Sequence, residues 1–360
     1  MNTWDVVVIG AGQAGSAAAW DLAAGGRRVL VLSRVAGAGK PCAGGVTVKT
    51  LNRYRFSIDT VIRETVNTLH VSRYPGSEGQ LKSAQRFCVM TERSELDRFC
   101  LEQAQRQGAE FQRTKGVAAI RQSGSSVEIH TKEGETIRAT YLVAADGANS
   151  RVRHLLGESS LKGAMAIEGH IDRADLKAYP GMTLDFQAIK GGYGWLFPKG
   201  DHINVGLYIW KHGLAAPDRK ALDQYCIDRL GAKPYRVSGF PLGTWLPKVR
   251  LKHGRILFVG DAAGATETLL GEGIYGAVLS GQLAAQALLS DQPESYQMLL
   301  SDWREELTKV AQLSSLFYGL LPMSIPMLKG ALGGTLVEGF SRGYTLGECK
   351  RRWRGSSSLA

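Results

Sequence analysis

VVVIGAGQAG, at residues 6–15, decides the fold of this chain. Its first four residues are β-branched and predict a strand that is buried on both faces. An alanine-rich helix is expected from Ser16 to about Ala24, followed by a second strand at 29–32. A strand, a glycine-rich turn, a helix and a second strand within about 30 residues form the setting of a dinucleotide-binding site.

The three glycines of this turn are expected to have different roles. Gly10 permits the tight turn, Gly12 lets a pyrophosphate approach the backbone, and Gly15 lets the helix pack closely on the strand. The phosphate charge would then lie at the positive end of the helix.

A ribose-binding acid usually follows the second strand, but here that position holds Ser33, followed by Arg34. A serine hydroxyl can bond to a ribose hydroxyl, although more weakly than a carboxylate does. Arg34 would suit a 2′-phosphate and therefore NADP. The glycine-rich turn by itself leaves both a flavin and a nicotinamide cofactor open.

Two later strands are predicted to end in an acid and glycines. YLVAA at 141–145 leads into DGANS at 146–150, and ILFV at 256–259 leads into GDAAG at 260–264. GEGI at 271–274 follows and opens a helix of small residues. Ligands of open α/β sheets bind at the carboxyl ends of such strands, so these motifs are expected to meet at one site.

With these motifs in this order, the chain resembles the geranylgeranyl reductase family of FAD-dependent oxidoreductases. This family belongs to the flavoprotein monooxygenase superfamily, which has the p-hydroxybenzoate-hydroxylase-like fold. The resemblance implies FAD as the cofactor, with Asp261 holding the ribityl chain and Arg93 matching a family arginine. Ser94 is expected to cap the following helix. The residues predicted to bind FAD are Gly10, Gly12, Gly15, Ser33, Arg34, Arg93, Asp146, Gly147, Gly260, Asp261, Gly271, Gly273 and Ile274.

Two further segments resemble the same family. KPCAGG at 40–45 is similar to the cysteine–glycine loop of geranylgeranyl reductases, and GYGWLFPKGDHINVG at 192–206 is similar to their aromatic stretch. The resemblance places Cys42 near the flavin ring, as a proton donor or as a shield that positions substrate. Tyr193 and Trp195 are predicted catalytic residues that line a cavity above the flavin, with a purely structural place in the second sheet as the alternative.

The predicted fold class is α/β, with a Rossmann-like FAD-binding domain, an inserted antiparallel-sheet substrate domain and a helical C-terminal region. Alternating apolar residues at 203–207 predict a half-buried antiparallel strand. The expected segments are 1–51, 88–160 and 247–292 for the discontinuous FAD-binding domain, 52–87 and 161–246 for the substrate domain, 293–349 for the helical region and 350–360 for a basic flexible tail.

The resemblance leaves two reactions open. The first is reduction of isolated C=C bonds in a hydrophobic prenyl substrate by hydride transfer from reduced flavin. The second is a monooxygenase reaction through a flavin hydroperoxide, acting on a small aromatic or on a protein side chain. Flavoproteins that mature tryptophan-derived quinone cofactors are similar to this family, and a flavin-binding module without catalysis is a third hypothesis.

One departure from the family pattern bears on the substrate. ETLL at 267–270 stands where the family often has Asp-Pro-x-Thr before GEGI. In the family that loop faces the reactive edge of the flavin, so its change leaves the substrate open. A single dinucleotide fingerprint is present, and the external electron donor is therefore open as well.

The amino-acid composition restricts the classes of partner that are expected. There are 44 Lys and Arg against 33 Asp and Glu, a net charge of +11, which favours phosphorylated substrates or an acidic membrane surface. No zinc-finger, RNP or helix-turn-helix signature is present, so nucleic acid is not an expected partner. Five cysteines without a CxxC pair argue against a disulfide framework or a metal site and favour a cytoplasmic location.

The C-terminal region bears on membrane contact. Residues 310–328 carry no charge and approach the length of a membrane span, but Pro322 and Pro326 would break a spanning helix. A buried hairpin is expected instead. The basic cluster at 350–354, which includes Trp353, would suit peripheral contact with the inner face of a membrane, with a solvated tail as the alternative.

Overall fold

The computed structural model describes residues 3–37, 40–76, 78–159, 161–211, 213–246, 248–349 and 351. Apart from Arg351, the basic cluster and flexible tail expected at 350–360 lie outside these residues.

The described residues form strands, with helices between some of them, over most of the chain, and helices towards its C-terminal end. Strands β1 to β18 are Thr3–Ile9, Val29–Ser33, Gly45–Thr47, Ile62–Val66, Thr68–Arg73, Glu78–Lys82, Cys88–Thr91, Glu110–Arg113, Val117–Gln122, Val127–Thr131, Thr136–Ala144, Lys162–Asp172, Thr183–Phe186, Gly192–Pro198, His202–Ile209, Tyr235–Gly243, Lys252–His253 and Ile256–Phe258. Helices α1 to α10 are Gln13–Ala24, Val48–Leu51, Arg93–Arg106, Arg151–Leu155, Arg219–Leu230, Ile274–Leu289, Tyr296–Leu299, Ser301–Gly319, Leu321–Lys329 and Ala331–Ser341.

The chain divides into two compact units. The first unit comprises Met1–Lys40, Ser94–Gly163 and Pro241–Thr308, and the second comprises Pro41–Arg93, Ala164–Phe240 and Lys309–Ala360. The helical region predicted at 293–349 is therefore divided between the two units, and the division along the chain falls within α8, after Thr308. The other predicted domain boundaries stay predictions.

The first unit is built on a sheet in the order β17-β18-β11-β1-β2-β8, with β9 and β10 added beside β11. Strand β1 pairs in parallel with β11 and with β2. Val6–Ile9 is buried, as expected for a central strand covered on both faces. Helices α1 and α6 pack so closely that a Cβ on Gly281 would lie 2.3 Å from the carbonyl oxygen of Ala14. The predicted α/β class is confirmed.

The second unit is built on a seven-stranded sheet in the order β16-β12-β15-β14-β13-β5-β6, with a smaller sheet of β3, β7 and β4. Strands β12, β15, β14 and β13 pair antiparallel in turn, but β13 and β5 pair in parallel. The expectation of a purely antiparallel sheet was therefore wrong at this pair. The long connection between β5 and β13 permits a parallel pairing, which a tight hairpin cannot make.

Strand β15 is buried on both faces, so the prediction of a half-buried strand was wrong. The alternating residues at 203–207 pack in a core cluster with Leu222, Tyr225 and Cys226 of α5. The residues on the other face of the strand are buried too, with Asn204 at 1% exposure and Tyr208 at 2%. Polar and aromatic neighbours cover this second face, which the alternation of apolar residues could not reveal.

The C-terminal helices α8 and α9 are separated at Leu320, just before Pro322. Several apolar side chains here are exposed, including Leu316 at 59% and Met323 at 65%. The segment predicted to form a buried hairpin is therefore only partly buried. Among the described residues, no helix combines the length and the apolar character that a membrane crossing requires.

Candidate functional site

The glycine-rich turn between β1 and α1 has room for glycine alone at two positions. Gly10 has a φ of +108°, and a Cβ there would lie 2.3 Å from the carbonyl oxygen of Ala145. A Cβ on Gly15 would lie 1.9 Å from the carbonyl oxygen of Gly10. Because both obstacles are backbone atoms, the close approach of turn, helix and neighbouring strand depends on these glycines.

The turn leads directly into the N-terminus of α1. Gly12 is the N-cap residue, and the first turn of the twelve-residue helix contains no acidic side chain. The partial positive charge of the helix end is therefore not offset by a carboxylate of that turn, which suits an anion such as a pyrophosphate. Gln13 is buried and donates from Nε2 to Asp97 Oδ1 at 2.7 Å, which holds the start of α1 against α3.

The carboxyl end of β2 lies beside β8. The backbone carbonyl of Ser33 accepts a hydrogen bond from the N–H of Thr114 at 3.0 Å. The carbonyl of Arg34 accepts one from Arg113 Nε at 3.0 Å. Ser33 is half buried and Arg34 is exposed, and their contacts with a ribose or a phosphate stay predictions.

Asp261 follows β18 in the turn Gly260–Ala263. Its Oδ2 forms an ion pair with Lys40 Nζ and accepts the N–H of Gly243 at 3.2 Å, while Thr266 Oγ1 donates to Oδ1 at 2.8 Å. Burial raises the pKa of Asp261, but the Lys40 charge and these hydrogen bonds outweigh burial and hold the pKa below its usual range. Asp261 is thus a fixed, ionised acceptor, suited to the ribityl hydroxyls.

Lys40 was not predicted as a site residue. It lies 221 positions from Asp261 in the sequence, and the pattern of the loop at 40–45 does not indicate this partner. Its charge at the start of a glycine-containing loop was the one available signal.

Asp146, which follows β11, is engaged by its own loop. Its carboxylate accepts from Ser150 Oγ at 2.7 Å and from the N–H of Val152 at 2.9 Å. Ser150 in turn caps α4 by accepting the N–H of Arg153 at 3.0 Å. Burial raises the pKa of Asp146 despite these hydrogen bonds. The carboxylate therefore orders the turn that contains Gly147, and direct contacts of both residues with FAD stay predictions.

The segment before α6 is ordered by Glu267, within the stretch that departs from the family pattern. The Glu267 carboxylate accepts the N–H groups of Leu269, Leu270 and Glu272 at 2.7, 2.8 and 2.9 Å. The altered loop is thus held by an internal acid. Three predicted residues border it: Gly271, then Gly273 as the N-cap of α6, then Ile274 as its first residue.

These features of the first unit fit FAD. The glycines at 10 and 15 permit the tight approach of turn, helix and strand, the α1 N-terminus favours the negative charge of a pyrophosphate, and Asp261 offers an ionised acceptor. The N–H of Gly260 donates to Ser280 Oγ at 2.8 Å, and the contact of Gly260 with FAD stays a prediction.

In the second unit, the loop that carries Cys42 is anchored by buried polar groups. The N–H of Cys42 donates to Glu168 Oε1 at 2.9 Å, and the N–H of Gly44 donates to Cys42 Sγ at 3.4 Å. The Lys199 ammonium donates to the carbonyls of Ala43 and Thr91, both at 2.5 Å. Burial lowers the pKa of Lys199 although neighbouring acidic groups raise it. Cys42 itself is half buried.

Glu168 was not predicted as a site residue from the sequence. It is 5% exposed on β12, and burial raises its pKa to about 7, although the Asn204 amide, the Cys42 N–H and the Lys199 charge act to lower it. A single acid within a strand of buried neighbours was the only signal, and such a residue is also found in ordinary salt bridges.

Tyr193 and Trp195 are buried on β14, at 5% and 4% exposure. Trp195 Nε1 donates to Asn204 Oδ1 at 2.7 Å, and the two rings lie 6.2 Å apart. They form part of a packed aromatic layer, and their catalytic role stays a prediction. Arg93 is half buried and begins α3. Ser94 therefore lies inside the helix, so its predicted N-cap position was wrong.

A half-exposed cluster of Glu92, His170 and His202 lies in the same unit, with three ligand atoms within 4.8 Å of one another. His202 Nδ1 contacts Asp201 at 2.7 Å. Burial lowers the pKa of His170, and the positive charges of Lys199 and Arg236 lower it further. The Glu92 carboxylate acts in the opposite direction and raises the pKa of His170, and we interpret the cluster as a network of side-chain charges.

Known proteins resemble this chain along nearly its whole length. The sequence model of the FAD binding domain family matches residues 3–180. An uncharacterized protein of Methanosarcina barkeri is 32% identical, and the match covers 96% of this chain and 92% of that protein. Digeranylgeranylglycerophospholipid reductase 1 of Methanopyrus kandleri is 31% identical, with 84% and 86% covered. Chloroplastic geranylgeranyl diphosphate reductase of Oryza sativa is 29% identical, with 86% and 71% covered.

Solved structures share the fold. A geranylgeranyl bacteriochlorophyll reductase-like protein from Thermoplasma acidophilum has a TM-score of 0.75 at 22% identity and covers 95% of this chain and 92% of its own. Klebsiella pneumoniae HpxO, solved with FAD and uric acid, has a TM-score of 0.72 at 17% identity, with 94% and 96% covered. The expected cofactor and class are confirmed: the chain belongs to the geranylgeranyl reductase family and is an FAD-dependent oxidoreductase.

Proposed function

We propose that this protein reduces isolated C=C bonds in the prenyl chain of a geranylgeranyl substrate. The observation that carries the proposal is the anchored loop of Cys42, whose neighbours Glu168 and Lys199 are buried and polar. The printed names of relatives from Methanopyrus kandleri and Oryza sativa, which are reductases of geranylgeranyl compounds, support the substrate class.

FAD, when bound and reduced, supplies a hydride for this reaction. The residues of the chain have to bind the cofactor, orient the substrate and move a proton. We propose that the glycine turn and the α1 N-terminus hold the pyrophosphate and that Asp261 holds the ribityl chain. An isolated alkene is poorly polarised, so the rate would depend mainly on positioning in a dry environment. We propose that Tyr193 and Trp195 form an apolar wall of the substrate site. Cys42 Sγ is proposed to donate the proton to the substrate.

The test is the mass of the product after chemically reduced protein is incubated without oxygen with geranylgeranyl-bearing substrates. We expect a gain of two hydrogens for each reduced double bond, accompanied by reoxidation of the flavin. Cys42→Ser is the matched variant, since it retains a small polar side chain. Unchanged turnover in Cys42→Ser would remove Cys42 from the proton transfer while leaving the reductase function in place.

The altered loop at 267–270 favours a second candidate, a monooxygenase that acts on a small aromatic or a protein side chain. The same experiment separates the two functions. If the flavin stays reduced with every prenyl substrate until air is admitted, the reductase proposal is overturned and oxygen chemistry on another target is favoured.

We also propose that the C-terminal helices bring the enzyme to a membrane surface, where prenyl lipids reside. Support comes from apolar side chains exposed on and between α8 and α9, together with a net charge of +11 that favours acidic lipids. These side chains are Leu313, Leu316, Leu320, Met323 and Met327.

Vesicles that contain an anionic phospholipid should therefore sediment the protein. The double variant Leu316→Glu and Met323→Glu should reduce the bound fraction at least about tenfold, since burial of two such side chains contributes ~3 kcal/mol. Ile227→Glu, at an exposed apolar residue of α5, is the control and should bind as the unaltered protein does. Equal binding by all three proteins would overturn this docking surface.

A further inference from the structure

We propose that Glu168 is a positioning residue that holds the backbone of Cys42 and whose charge sets the reactivity of the Cys42 thiol. The inference rests on the proposed function, in which Cys42 Sγ gives a proton to the substrate. Glu168 acts through Cys42 and does not itself touch the substrate.

The sheet of the second unit places Glu168 on a polar face. Glu168 and His170 point to one side of β12, and the intervening residues point to the other. In the antiparallel register His170 pairs with Asn204 of β15, so Asn204 shares this face. The aromatic residue Trp195 donates to Asn204 and therefore lies on it as well. The opposite face carries the apolar core with α5.

The contact between Glu168 and Cys42 is a hydrogen bond to the backbone of Cys42. Glu168 Oε1 accepts the Cys42 N–H at 2.9 Å. Glu168 Oε2 is buried and has no hydrogen-bond partner among the described residues, so the carboxyl influences the thiol through its charge and not through a direct bond. An ionised carboxylate with an unsatisfied buried oxygen would be costly, whereas a protonated one is tolerated.

Charged and polar groups on the neighbouring strands and loops lie around the Glu168 carboxyl. They act in opposite directions, because the Lys199 ammonium favours ionisation of Glu168 while Glu92 opposes it. Burial is the largest influence on this carboxyl and raises its pKa to about 7, which places the ionisation of Glu168 near neutral pH. The groups are Cys42 on the glycine loop, Glu92 after β7, Lys199 after β14, Asn204 on β15 and, two residues along β12, His170.

The experiment measures the alkylation rate of Cys42 by iodoacetamide across the pH range, in FAD-loaded protein without any prenyl substrate. The other four cysteines are buried, and the labelled Cys42 peptide is quantified by mass spectrometry. We expect the profile to bend near pH 7, where Glu168 ionises, because a nearby carboxylate disfavours the thiolate. In Glu168→Gln the bend should disappear, and alkylation above that pH should be about tenfold faster because the carboxylate charge is absent.

Asp172→Asn is the matched control, since Asp172 lies on the same strand and is four residues from Glu168. Its profile should superimpose on that of the unaltered protein. A Glu168→Gln profile that still bends near pH 7 would overturn the inference. Should that variant fail to fold, the unaltered protein alone decides, because a profile without a bend near pH 7 contradicts the coupling.

The two proposals fail in different ways. If the alkylation rate of Cys42 does not depend on the ionisation of Glu168, the role proposed for Glu168 is overturned, and prenyl reduction is still observed. Absence of prenyl reduction, with the coupling intact, would dismiss the proposed substrate and leave Glu168 as an acid coupled to Cys42.

Discussion

Replacement of Gly15 by valine is expected to leave the purified protein almost without FAD. A Cβ at this position would lie 1.9 Å from the carbonyl oxygen of Gly10 and 3.2 Å from the Cβ of Ala145. The nearest obstacle is backbone, so the turn itself must move. Overpacking of this kind costs about 1–3 kcal/mol or more, and each ~1.4 kcal/mol is a factor of ten in affinity. The ratio of flavin absorbance to protein should fall at least about tenfold.

The control is Gly124→Ala in the same unit, where no atom lies within 4 Å of the added Cβ. It should retain the flavin content of the unaltered protein, so that loss in Gly15→Val reports the turn itself. Full flavin occupancy in Gly15→Val would show that the turn between β1 and α1 is not where the pyrophosphate binds.

Replacement of Glu168 by glutamine is expected to change how stability depends on pH. The pKa of Glu168 rises from 4.5 to about 7 on folding, so between these values the folded protein binds more protons than the unfolded chain. Its free energy of unfolding must therefore decrease as pH rises through this window and level off above it. The difference corresponds to roughly 3 kcal/mol, with little solvent screening because the side chain is 5% exposed.

Urea denaturation of both proteins at a series of pH values measures this effect. The difference in unfolding free energy between Glu168→Gln and the unaltered protein should shift by roughly 3 kcal/mol in favour of the variant between about pH 4.5 and 7.5. Other titrating groups are common to both proteins and cancel. Asp172→Asn should show no such shift, and parallel curves for Glu168→Gln would mean that Glu168 is ionised throughout.

The replacements of Gly15 and of Glu168 test different properties of the protein. Gly15 acts within one local turn, and its replacement reports cofactor binding. Glu168 connects a strand to a loop 126 residues away, and its replacement reports the electrostatics around Cys42. A Cβ on Gly44 in that loop would lie 2.1 Å from the carbonyl oxygen of Thr91, so the loop, like the turn, is shaped by backbone proximity.

The sequence by itself determined the features that depend on neighbouring residues. Residues 6–15 predicted a buried strand, a glycine turn and the start of a helix, and the structure has β1, the turn and α1 in those places. The strands that precede Asp146 and Asp261 were predicted from the sequence in the same way. Backbone preferences and local burial patterns act over a few residues, and spacing along the chain records them.

Only the tertiary structure decided which distant groups meet. The ion pair of Lys40 with Asp261, the contact of Glu168 with Cys42 and the parallel pairing of β5 with β13 join residues separated by more than a hundred positions. The burial of both faces of β15 has the same origin, since its second face is covered by side chains from elsewhere in the chain. Such contacts depend on how the sheets and loops pack, and no periodicity or motif spacing in the sequence encodes that packing.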